Sequence, residues 1–121
     1  MSSNIITFSY NWNNKLENKA FTTLRLHNPK KYILGNSYQI ELEGKYKGLA
    51  VLYSKRILKI DQLNDFICYL DTGYNRTEAT NILQRMYKGM NLQTVLFDFC
   101  LLVYHTPQKR EAKAFQTILL L

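Results

Sequence analysis

Tyr38, Ile40 and Leu42 alternate with Gln39, Glu41 and Glu43, and the chain then runs into Glu43-Gly44-Lys45. An alternation of period two puts apolar side chains on one face and polar ones on the other, the pattern of a half-buried strand in an antiparallel sheet. Gly44 accepts positive φ, so this step turns the chain back as a hairpin. Residues 46–53 return as the partner strand, where Gly48 and Ala50 mark a bend or the close approach of another backbone. Lys55-Arg56-Ile57-Leu58-Lys59 ends this all-β half with a basic cluster.

Upstream of the hairpin, Ile5-Ile6-Thr7-Phe8 reads as a short strand. Ser9 to Asn14 holds three asparagines and reads as a loop. Tyr10 and Trp12, the only tryptophan, sit in it. Exposed, they would stack on a base; buried, Trp12 would plug one end of the core. A strand follows over about 20–26. One of its faces carries Lys19, Phe21, Thr23 and Arg25. The other carries Ala20, Thr22, Leu24 and Leu26, is mostly apolar, and is read as the core side. Asn28-Pro29-Lys30-Lys31 is a turn whose lysines either meet phosphates or sit in solvent.

Downstream, the period changes from two to that of a helix. Asp61 is the expected N-cap of a helix carrying Leu63, Phe66, Ile67 and Leu70 on one side. Asp71-Thr72-Gly73-Tyr74 breaks it, with Gly73 suited to a left-handed C-terminal position. A second helix opens at Asn75-Arg76-Thr77-Glu78 with capping-box spacing. Its stripe of Ala79, Ile82, Leu83, Met86 and Tyr87 is core, not a cofactor site, and Gly89 ends it. Thr94 to Tyr104 is apolar on both faces and reads as a central, closing strand, in which Asp98 must be paired or lie at an edge. Thr106-Pro107 opens an expected last helix with Ala112, Phe115, Ile118 and Leu119 near one face. The fold class is therefore α+β, with one domain over 1–105 and an extension over 106–121 that packs on the domain, meets a partner or frays.

The net charge of +7 is unevenly spread. Residues 1–60 carry ten Lys/Arg against three acids, whereas residues 61–121 carry six of each. A polarised positive field attracts polyanions, nucleic acid first among them. Cys68 and Cys100 stand apart in apolar surroundings, with no Cys-x-x-Cys and only His27 and His105 as further soft ligands, so no metal and no cofactor are expected. The thiols are expected buried and reduced, in a cytoplasmic protein. Met1-Ser2-Ser3-Asn4 lacks a basic region followed by an apolar run. The longest apolar run, Val95 to Tyr104, contains Asp98 and is far short of the roughly 20 residues of a membrane span. There is no Gly-rich phosphate loop, no paired-histidine metal signature and no nucleophile elbow. Any catalysis must then use lysine, threonine and carboxylates: a threonine hydroxyl attacking, a lysine of lowered pKa taking its proton, and an acid such as Asp71 completing the set.

Phe21-Thr22-Thr23-Leu24-Arg25, Gly35-x-x-Tyr38-x-Ile40, Gly48-x-Ala50 and Leu70-Asp71-Thr72-Gly73-Tyr74, taken in this order, resemble the ASCH domains of the PUA-like superfamily over about residues 5–104. The resemblance implies a mixed or antiparallel β-barrel-like sheet, two helices between the basic hairpin half and the closing strand, and a cleft for RNA or a modified nucleobase. Some ASCH members are amidohydrolases acting on acylated cytidine and carry Lys-x-x-Thr-x-Arg with a later Glu. Aligning on Thr23 and Arg25 puts Ala20 in the lysine position, aligning on Lys19 and Thr22 moves the arginine out of step, and Asp71-Thr72 stands near the Glu. The first register is favoured. The expected site has Lys19, Thr22, Thr23 and Arg25 on one wall, Asp71 and Tyr74 on the other, and Lys30 and Lys31 steering phosphates. Arg25 would contact phosphate or pair with Asp71, and Tyr74 would stack on a base or cover the helix junction. Three functions are carried forward: an RNA- or nucleobase-ligand-binding domain; an amidohydrolase of an acylated cytidine-type nucleoside, with Lys19, Thr22, Thr23 and Asp71 as its candidates; and a non-enzymatic protein-interaction module using the apolar C-terminus.

Overall fold

A computed structural model describes residues 4–105. Five strands, β1 (Ile5–Phe8), β2 (Ala20–Leu26), β3 (Ser37–Leu42), β4 (Lys45–Leu58) and β5 (Phe97–Tyr104), are joined by helices α1 (Asp65–Thr72) and α2 (Arg76–Met86). Short 3-10 segments span Trp12–Glu17, Ile60–Gln62 and Leu92–Thr94. The helix expected over 106–121 lies outside the described residues.

The strand order is β1-β3-β4-β5-β2. β1 runs parallel to β3 and every other pair is antiparallel, so the sheet is mixed. It curls into a half-barrel, and its two outer strands, β1 and β2, face each other across a seam. The seam is bridged where Arg25 Nη2 donates to the Thr7 carbonyl at 2.8 Å. Beneath it the Phe8 and Phe21 rings meet edge-on at 6.0 Å. The β4–β5 register shifts between Leu52 and Ser54, and the β3–β4 register between Ile40 and Glu41. Such a bulge bends a strand and raises its twist. The β3–β4 turn is the expected one, with Glu43 and Gly44 both at positive φ, 52° and 80°. At Gly48 the close approach is made by a ring. A Cβ there would lie 2.8 Å from Tyr104 Cε1.

β5 is central, as its two apolar faces require. Cys100, Leu102 and Tyr104 point into the barrel and join Ile6, Leu16, Phe21 and Tyr38. Phe97 points out, into a second cluster with Leu63, Cys68, Ala79 and Leu83 of the helical layer. β2 is buried on both sides for the same reason. Phe21 and Thr23 lie inside, and Leu24 and Leu26 pack against the helices. This corrects the one-sided reading of β2, because an outer strand that also carries the helical layer has no solvent face. Asp98 is fully buried and paired: Asn28 N–H donates to Oδ2 at 2.9 Å and His27 Nδ1 lies 2.8 Å from Oδ1. The N-cap of α1 is Asn64, not Asp61, since the Asn64 side chain accepts from Ile67 N at 2.9 Å while Asp61 lies in a 3-10 turn. α2 is capped by Asn75 as expected, accepting from Glu78 N at 2.9 Å. Among the described residues no helix is long and apolar enough to cross a membrane.

Both cysteines are free and buried. Burial first, and the Asp98 carboxylate second, push the Cys100 thiol up to about 12 from 9.0. Above pH 9.0 the unfolded chain releases a proton that the folded chain keeps, so this group makes stability fall as pH rises toward about 12. Cys68, Tyr32 and Tyr87 are shifted upward too and act with the same sign. The full slope of one such group is about 1.4 kcal/mol per pH unit. Urea melts of wild type and Cys100→Ala at a series of pH values from neutral to alkaline should therefore diverge in slope by up to one proton. Parallel curves would rule the thiol out as the source.

Candidate functional site

The site begins with the asparagines after β1. Asn13 and Asn14 adopt left-handed φ of 58° and 54°. Asparagine tolerates that region better than most residues. The two reversals turn Lys15 and Leu16 inward, and both are buried. Lys15 Nζ then donates to the Asp71 carbonyl at 2.8 Å and to Asp71 Oδ1 at 2.9 Å. Asp71 lies in the last turn of α1, where its carboxylate opposes the helix dipole and a cation is welcome. The same Oδ1 accepts from Thr22 Oγ1 at 2.9 Å. Lys15, Asp71 and Thr22 are thus one buried network. Burial pushes the Lys15 ammonium below its usual range, and the Asp71 charge pulls the other way.

Arg25 is held independently. Its Nε donates to Thr23 Oγ1 at 2.9 Å, its Nη2 reaches across the seam to Thr7 O, and its guanidinium carbon sits 4.5 Å from the Phe8 ring centroid. Two of its five N–H donors are used; the other three have no acceptor among the described residues. Lys15, Asp71, Thr23 and Arg25 all border one cavity of about 210 Å³ at the seam, which is floored by the apolar side of α2 and edged by Tyr10 and Trp12. Tyr10 and Trp12 pack at 4.7 Å between centroids, and Tyr74 adds an edge contact to Trp12 at 6.1 Å.

The chain matches no protein-family model, no curated protein and no solved structure.

The geometry rearranges the expected site. Thr23, Arg25 and Asp71 share the cavity. They do so although Arg25 projects to the inner face of β2 and Thr22 reaches Asp71 from the outer one, because β2 is an outer strand and the cavity lies off its edge. The α2 stripe expected to be only core lines the cavity too, with Ala79 and Leu83 buried and Met86 exposed. Arg25 does not pair with Asp71; Lys15 holds that carboxylate. Lys19 is exposed and does not border the cavity, so the lysine of the site is Lys15. Thr22 stands behind the cavity with its hydroxyl turned to Asp71. Tyr74 is 40% exposed outside the rim, touching Trp12. Lys30 is exposed and Lys31 half-buried, and neither borders the cavity. Partial burial and the Arg25 charge push the Lys31 ammonium down. Sequence reasoning missed Lys15 and placed Trp12 only as a stacking residue or a plug. The signal for Lys15 is the pair of asparagines directly before it, residues that tolerate the left-handed backbone that turns the chain inward.

Among the described residues no group of three or more His, Cys, Asp or Glu is placed to hold a metal ion. Chemically, the cavity offers a fixed guanidinium, a threonine hydroxyl, a buried ammonium–carboxylate pair and apolar walls.

Proposed function

We propose that the chain is an ASCH-related, PUA-like domain whose seam cavity binds a nucleobase, either free as a nucleoside or presented by RNA. The observation that carries this reading is Arg25, pinned by Thr23 and Thr7 and stacked on Phe8, with free donors at a cavity edged by tryptophan. A donor fixed before binding loses little entropy on meeting its ligand. The cavity, at about 210 Å³, is below the roughly 300–1,000 Å³ of pockets for drug-sized ligands and favours one planar group. The charge excess of residues 1–60 favours ligands carrying phosphate. Calorimetric titration of the four ribonucleosides and of a single-stranded RNA oligomer tests it. Arg25→Met should weaken the best ligand about 10- to 100-fold, the loss of hydrogen bonds to a charged donor. RNA affinity should also fall between about 50 and 200 mM salt. Equal binding by wild type and Arg25→Met would sink the reading.

One observation favours a second reading, hydrolysis of an acylated cytidine-type nucleoside. The lysine at the cavity is buried with a lowered pKa, beside two threonines and a carboxylate. A lysine shifted in this direction is a better base near neutral pH, and Thr23 is the hydroxyl that borders the cavity. Incubation with N4-acetylcytidine should then release acetate faster as pH rises, and Lys15→Met and Thr23→Val should each stop it. Lys19→Ala, at an exposed neighbour, should leave it unchanged. Binding without acetate release would leave the first reading alone.

A further inference from the structure

We propose that the backbone N–H and C=O of Leu24, on the open edge of β2, read the hydrogen-bonding edge of the planar heterocycle in the seam cavity. This rests on the nucleobase reading above and adds how the base is recognised.

The phase of the β2–β5 ladder decides which residues are available. Tyr104 N donates to Lys19 O at 2.9 Å and His27 N donates to Leu96 O at 3.0 Å. These two bonds bracket the register in which Phe21 faces Leu102, Thr23 faces Cys100 and Arg25 faces Asp98. In an antiparallel pair, hydrogen-bonded and non-hydrogen-bonded positions alternate. Phe21, Thr23 and Arg25 therefore direct their main-chain groups to β5. Thr22, Leu24 and Leu26 direct theirs away from it, toward the edge to which no strand is hydrogen-bonded. Among the described residues no protein group bonds the main chain of Leu24. Leu24 also borders the cavity, as do Thr7 and Phe8 of β1.

A main-chain donor and acceptor with no partner beside apolar walls are costly to shield from water. Their complement is a ligand with an acceptor and a donor side by side. The ring nitrogen and exocyclic amine of cytosine or adenine have that arrangement, and Trp12 and Arg25 supply the stacking and charged contacts around it. An added peptide strand is the other occupant an open edge invites, but it needs several alternate residues free along the edge. Here the Lys15–Asp71 pair closes over Thr22 and the Arg25 bridge to Thr7 crosses the seam. Of the three outward-facing residues Leu24 alone borders the cavity, which matches one heterocycle.

Replacing Leu24 by its α-hydroxy analogue turns the outward amide into an ester. It removes the N–H, keeps the side chain and every N–H of the ladder to β5, and weakens as an acceptor only the Thr23 carbonyl, which becomes that of the ester. Dissociation constants of cytidine and adenosine are measured by NMR titration for the wild-type chain and the ester. On the wild-type chain, N4-methylcytidine and N4,N4-dimethylcytidine (or the N6 adenosine pair) are compared as well. The ester should weaken the parent nucleoside about tenfold, dimethylation should weaken it about tenfold, and monomethylation, which keeps a donor, should not. The methylation series uses the unaltered chain and so decides even where the ester lowers stability. Cytidine or adenosine binding that changes less than twofold in the methylation series overturns the edge contact while leaving the nucleobase reading in place. If neither nucleoside binds, the edge contact is overturned, and binding of uridine or guanosine in parallel titrations tells whether the nucleobase reading falls with it.

Discussion

Asp71→Ala should lower folding stability by about 3–5 kcal/mol, the usual result of stripping one partner from a buried ion pair. Lys15 Nζ would lose its carboxylate and keep only the residue 71 carbonyl, and Thr22 Oγ1 would lose its acceptor. Much of the loss is the desolvation of an ammonium left without a counter-charge, so it should be recoverable. Adding Lys15→Met should restore more than half of it, because the charge goes and an apolar stem of similar length stays. The pH dependence has a definite sign. Asp71 raises the Lys15 pKa, so its removal lets burial push that pKa further below 10.5. Between the lowered folded value and the unfolded one the unfolded chain binds more protons, so Asp71→Ala should gain stability as pH rises through that window. Urea denaturation of both single variants and the double variant, at neutral and alkaline pH, checks each step. A stability loss that Lys15→Met does not relieve would show that the pair is not what Asp71 supports.

A comparable loss, about 3–5 kcal/mol, is expected for Asp98→Ala at the other end of β2. Asp98 has no exposed surface, and it fastens the turn after β2 through Asn28 N and His27. Alanine leaves the Asn28 N–H without an acceptor inside the protein, whereas His27 can turn to water. Asp98→Asn keeps an acceptor for Asn28 and should recover a substantial part. Thermal melts give the readout, since 1 kcal/mol moves the midpoint of a domain of this size by about 4–8 °C. Equal losses for alanine and asparagine would mean that the charge, not the hydrogen bond to Asn28, holds the turn. The two variants also separate the site from its scaffold: Asp71→Ala alters the cavity wall, whereas Asp98→Ala is not expected to touch it.

Local patterns located most elements. β3 was visible in its alternation, β5 in its apolar run, α2 in its stripe and Asn75 cap, and the β3–β4 turn in Glu43-Gly44. The start of α1 was misplaced by a few residues because Asp61 and Asn64 are both good caps and only tertiary packing chooses between them. The burial of Phe21 and Thr23 was unreadable for a similar reason. A strand lined by helices outside and by barrel core inside alternates between two kinds of apolar surroundings, not between core and water.

Sequence by itself determined the α+β class, the charge imbalance between residues 1–60 and 61–121, the absence of local metal and phosphate-loop motifs, and the strand that carries Thr22-Thr23-Leu24-Arg25. Tertiary structure decided which lysine serves that segment and what its arginine touches. Lys15 and Lys19 look alike in the sequence, but two left-handed asparagines bury one and leave the other in solvent. Arg25 and Asp71 look like partners, but each is claimed by a nearer group: Arg25 by Thr23 and Thr7, Asp71 by Lys15 and Thr22. Thr7 lies 18 residues from Arg25, and Thr22 and Lys15 lie 49 and 56 residues from Asp71, so these partners meet only through the curl that brings the edge of β2 to β1 and under α1, and sheet curvature is a property of the whole strand order, not of any local stretch.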